Sequence, residues 1–202
     1  MRAFLLGLAL STMGQTATAA PLDADIARTN RMIRQAHAEE VLDNATTAAD
    51  EPTVLHRASG LKCRFLLGLG DLRYFPEQRS VLCEMRRSTF GYSLSAFPYR
   101  EGDTLASVES ELRANLVGSR RAKEIPLATY DNAFTAGSNV PAFVASRFQV
   151  GRDFWRISVV RSGDWWITSA ALSPQGPNVM QAMLQSAEWA DVLKALPTAT
   201  PH

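Results

Sequence analysis

Two tryptophans side by side, Trp165-Trp166, inside an alternating run constrain this chain more than any other feature. Neighbouring residues of a strand point to opposite sides, so both faces of the sheet need cover at that point. Around this pair, Pro141 to Ser173 reads as three antiparallel strands and holds three of the four tryptophans. The run PAFVASRFQV ends at Gly151-Arg152, where a glycine suits a two-residue II′ hairpin turn. In DFWRISVVR, Trp155, Ile157 and Val159 alternate with Phe154, Arg156, Ser158 and Val160. Ser162-Gly163-Asp164 turns the chain into WWITSAALS, with Trp165, Ile167, Ser169 and Ala171 opposite Trp166, Thr168, Ala170 and Leu172.

The plain expectation is that these rings are core and cross-strand packing. The sharper one is a binding surface of Phe154, Arg156 and one of Trp165 and Trp166, flanked by Arg147.

The remaining elements follow from pattern and punctuation. Leu22 to Asn44 is predicted helical with a thin apolar stripe of Ile26, Ile33 and Ala36 or Val41, hence mobile. A polar linker, NATTAADEPT, follows to Thr53. From Val54 the chain reads as strands: FLLGL, LRYF, SVLCEMRR and YSLSAFPY. Asp103 or Thr104 caps a helix with Leu105, Val108, Leu112 and Leu116 on one side, a Glu109–Arg113 pair, and Gly118 at its end. A short strand is expected within 122–129, and a polar loop from Asp131 to Asn139. After the break Pro174-Gln175-Gly176-Pro177, a last helix presents Val179, Met180, Met183, Leu184 and Ala187, extended by Trp189, Val192, Leu193 and Leu196. The sum is an α+β fold: an antiparallel sheet of six to eight strands with helices packed on one face.

The first 19 residues are expected to be a signal peptide, cut after Ala19 in Ala17-Thr18-Ala19. Residues 20–53 then form the N-terminal helix and linker, 54–197 one domain, and 198–202 a disordered tail. Export to the periplasm or medium makes Cys63 and Cys83, the only two cysteines, a natural disulfide. No apolar run reaches the roughly 18 residues of a spanning helix. Without Arg2 the charges balance, which leaves no electrostatic case for nucleic acid.

Chemical motifs are sparse. Ser59-Gly60-Leu61-Lys62 fits S-x-x-K in letters, but its glycine and the strand after it spoil the helical spacing that chemistry needs. His56 and Ser59 could touch in a turn, which supports a small serine hydrolase as an alternative function. No metal-ligand spacing and no cofactor motif are present.

HRASGLKC, the cysteine strand VLCEMRR, the helix TLASVESELRANL and GDWWITSAALS together resemble exported proteobacterial proteins of uncharacterised function. The element order is similar to the PsbP/Mog1-like α+β sandwich. That resemblance implies an accessory or binding role and assigns no residue a function. The leading expectation is therefore a non-enzymatic exported domain that binds a protein or small ligand. A further alternative is an envelope protein that docks through its N-terminal helix.

Overall fold

The computed structural model describes residues 21–48, 51–65, 70–86, 91–118, 122–135, 140–173 and 179–196. The expected signal peptide, the break at 174–177, the tail and most of FLLGL lie outside the described residues.

The hairpins form where turn chemistry and alternation coincide. Strands β4 (Gly70–Phe75), β5 (Ser80–Arg86) and β6 (Gly91–Pro98) pair in succession, each antiparallel to the next. Further along come β7 (Ala122–Glu124), β8 (Phe143–Val150), β9 (Asp153–Ser162) and β10 (Trp165–Ser173). Gly151 and Gly163, with φ of 62° and 57°, take the left-handed turn positions between β8, β9 and β10. The seven strands form one antiparallel sheet in the order β4-β5-β6-β10-β9-β8-β7. Three earlier strands, β1 (Leu42–Asn44), β2 (Thr53–His56) and β3 (Lys62–Arg64), form a second small antiparallel sheet.

The α+β class and the antiparallel sheet are those the alternation predicts. The helices, however, divide between the two sheet faces rather than sharing one. Helix α2 (Leu105–Val117) brings Val108 and Leu112 onto Phe148, Ile157, Val159 and Trp166. Helix α3 (Val179–Ala195) brings Trp189, Val192 and Leu193 to the opposite face, among Val160, Trp165 and Ile167. The adjacent tryptophans demand this split: Trp165 and Trp166 are 8% and 2% exposed, each within its own apolar cluster.

Helix α2 begins and ends where its caps predict. Thr104 Oγ1 accepts from Ser107 N–H at 3.1 Å and Ser107 Oγ accepts from Thr104 N–H at 2.8 Å, while Gly118 closes the helix. The expected Glu109–Arg113 pair does not form. Arg113 pairs instead with Glu124 of β7, and buried Glu109 accepts from the Ser146 hydroxyl.

The N-terminal segment differs most from expectation. Helix α1 (Pro21–Gln35) ends well before Asn44, because His37 at φ 51° turns the chain and Ala38 is buried. The end of the predicted helix and the start of the predicted linker are strand β1, paired with β2. Thr29, Ile33 and Leu42 are buried, and Asn44 donates to Ile26 O and Asn30 Oδ1. The thin stripe suffices because polar groups on α1 find partners on β1. The disulfide joins Cys63 of β3 to Cys83 of β5, linking the two sheets.

Candidate functional site

On the α3 side of the large sheet, side chains that look surface-forming in sequence become an interior polar layer. Arg147 of β8 and Arg156 of β9 stand directly opposite each other across the strands, and both are buried. Arg147 Nη1 donates to Asp131 Oδ2 at 3.0 Å, and the guanidinium lies 5.5 Å from the Phe154 ring centre. Arg156 Nη2 donates to Asn132 Oδ1 at 2.9 Å. Asp131 and Asn132 come from a 3-10 turn, Thr129–Asn132, in what the sequence presented as a polar loop. Burial pushes the Arg156 pKa down, Tyr92 and Asp131 oppose this, and the facing Arg147 adds to it. Of the candidate surface, Arg147, Arg156, Trp165 and Trp166 are buried and Phe154 is half-buried. Parity places Phe154, Arg156, Arg147 and Trp165 on one face and Trp166 on the other.

The second pair of candidates does meet. His56 Nδ1 lies 2.8 Å from Ser59 Oγ, in the turn between β2 and β3. Leu61 N–H donates to Ser59 Oγ at 3.2 Å, which leaves the hydroxyl proton for Nδ1. Ser59 is 1% exposed and His56 3%, and the imidazole meets Trp165 edge-on at 4.7 Å. Burial holds the His56 pKa below the usual histidine value. A serine nucleophile needs access to substrate and a base oriented by a third group. This buried pair serves the turn, and the serine-hydrolase alternative gains no reachable nucleophile from it.

A roomier concave feature lies on the other face, where the sequence offered only Trp166. Seven strands span roughly 29 Å, whereas one helix is about 10 Å across. Helix α2 sits over β8 and β9 and reaches Phe97 of β6, and among the described residues no other helix covers β4 and β5 on that face. Between helix and sheet runs a groove of about 750 Å³. Phe75, Leu82 and Phe97 from the sheet and Val108 and Leu112 from α2 supply its apolar lining. Arg79, Arg100, Glu77 and Glu111 stand exposed around it. At one end Asp103 accepts from Trp166 Nε1 at 3.2 Å and from Arg100 N–H at 3.2 Å, fixing the helix entry against the sheet. The groove residues could have been found from one signal: a single amphipathic helix cannot cover that many strands.

Among the described residues, no group of three or more His, Cys, Asp or Glu is placed to hold a metal ion, and no helix is long and apolar enough to cross a membrane. No family model, curated protein or solved structure matches the chain.

Proposed function

We propose that the chain is an exported, non-enzymatic binding domain. Its ligand is a small molecule with an apolar body and a hydrogen-bonding end, held between α2 and strands β5 and β6. The groove carries this reading. Its volume of about 750 Å³ falls in the range of small-molecule sites, and it combines an apolar lining with a few polar groups. A protein partner would need about 800 Å² of matching surface on each side, which a cleft of this shape serves poorly. Export is supported by the leader-like first 19 residues and by a disulfide between buried cysteines, a bond that persists in oxidising compartments. The accessory role of PsbP/Mog1-like sandwiches is an analogy in the same direction.

The test uses 1-anilinonaphthalene-8-sulfonate as the probe. Wild-type protein enhances its fluorescence saturably, and Leu82→Glu, a change on the half-exposed groove wall, removes that enhancement while leaving the melting temperature nearly unaltered. Equal enhancement by both proteins, or none by the wild type, would sink the reading. Native mass spectrometry of gently purified protein then identifies the natural occupant by mass.

A further inference from the structure

The large sheet ends in two unequal edges. One, β7, is three residues long and wholly exposed, with Lys123 at its centre. Brevity and an exposed lysine keep an edge from pairing with other chains. The other, β4, runs for six residues, Gly70–Phe75, without lysine or proline. Among the described residues, β5 is the only strand beside it, and no further backbone hydrogen bond reaches 70–75. Its outer row of N–H and C=O groups is a template for one more strand.

The side chains of β4 sort by parity. Leu72 and Tyr74 are half-buried and pack against the apolar cluster on the α3 side, which α1 enters with Met32 and Ile33. Asp71 and Arg73 are exposed on the α2 side, opposite Glu84 and Leu82 of β5. Arg73 Nη2 donates to Glu84 Oε2 at 2.7 Å across the hairpin. Asp71 instead stands directly opposite Glu84, with no cation among its described contacts. Like charges in that position are unfavourable, so the acidic end of the edge calls for a cation from outside the sheet.

A second copy supplies it. A two-fold axis perpendicular to the sheet sets β4 antiparallel to itself and keeps every side chain on its own face, so the axis passes through a residue. An axis at Asp71 opposes two carboxylates, and an axis at Arg73 opposes two guanidiniums. An axis at Leu72 opposes Asp71 of each copy to Arg73 of the other, and Leu72 to Leu72. It also sets Gly70 beside Tyr74 of the second copy, whose ring covers the bare glycine backbone.

We infer that β4 is a dimerisation edge, through which two copies of this chain pair antiparallel about Leu72 into one continuous sheet. Arg73 then lies between Glu84 of its own copy and Asp71 of the other, so one cation serves both carboxylates. The pairing uses up β4 and leaves only the two blunt β7 edges, so assembly stops at two copies. Because the axis is perpendicular to the sheet, the grooves beside the two α2 helices open on the same side of the dimer.

Sedimentation velocity of the full chain, with its disulfide intact, tests this across a micromolar dilution series. The wild type is expected to run as a dimer that dissociates on dilution. Asp71→Arg or Arg73→Asp alone makes both opposed pairs repulsive and raises the dissociation constant about tenfold or more. Mixed in equal amounts, the two variants restore the dimer, because one copy then carries only cations at these positions and the other only carboxylates. Both side chains are exposed, so each variant folds, and circular dichroism checks that it does. A wild type that stays monomeric overturns the proposal. So does a dimer that survives either substitution, or a pair of variants that fails to associate on mixing.

Discussion

His56 sits where a positive charge has no carboxylate partner among its described contacts: its Nδ1 meets Ser59, its ring abuts Trp165, and Arg79 lies over the same Trp165 ring. Burial lowers its pKa in the folded chain, while the unfolded value stays near 6.5. Above pH 6.5 both states are neutral and the full stability is present. As pH falls below 6.5 the unfolded chain takes up a proton first, so stability is lost down to the folded pKa. The urea midpoint of the wild type is therefore expected to drop between pH 7.5 and 5. His56→Asn, which keeps a hydrogen-bonding group and cannot titrate, should show a shallower drop over the same range. Parallel pH curves for the two proteins would show that His56 does not titrate across folding. The contact itself was legible, since three-residue spacing in a turn brings the side chains together. Its burial was not, because the ring that covers it belongs to β10, far along the chain.

At the scale of elements, local chemistry was readable and orientation was not. The caps of α2, the glycine turns of β8–β10 and the pairing of the two cysteines all rest on residues close in sequence or on a count of two. Helix α3 shows where such reading fails. Its first half offers an apolar stripe of Val179, Met180 and Leu184, yet these are exposed, and Gln181, Gln185 and Ser186 face inward. The reason lies in the sheet beneath, which presents Arg156, Ser158 and Ser173. An amide can satisfy such groups, as Gln185 does for Ser173, and Ser186 Oγ accepts from Phe134 N–H on the adjoining turn. Only from Trp189 onward does the helix meet an apolar face and follow its hydrophobic pattern. Hence Met180→Lys with Leu184→Lys should change stability by no more than about 0.5 kcal/mol. Gln185→Ala, at a buried and hydrogen-bonded position, should cost about 1–3 kcal/mol. Chemical denaturation of the two variants checks the order. A larger loss from the lysine pair would mean that the helix rests on its apolar stripe.

For the whole molecule, the question is whether the N-terminal segment is an attachment or part of one folding unit. Its sequence suggested an attachment: a weak helix, a polar linker, and a domain starting at Val54. The packing argues otherwise. Ile33, Ala38 and Leu42 share one apolar cluster with Val54 of the small sheet, Phe65 just after it, Val81 and Met85 of the large sheet, and Trp189 of α3. The disulfide crosses between the sheets within that cluster, and the bond contributes about 3 kcal/mol in the chain-entropy model. Ile33→Ala removes buried methyl groups beneath α1 and should cost about 2–5 kcal/mol. The four tryptophans, Trp155, Trp165, Trp166 and Trp189, all lie on the large sheet or α3, so their fluorescence reports chiefly on that part of the molecule, with Trp165 touching the small sheet through His56. If the segments fold together, Ile33→Ala lowers the tryptophan-detected and circular-dichroism midpoints by the same amount, as one cooperative transition requires. A fluorescence midpoint that stays put while dichroism loses an early helical step would make α1 the separable arm that its sequence suggested. The shared core favours the coincident shift, because the cavity left by Ile33 opens into the same cluster that holds Trp165 and Trp189.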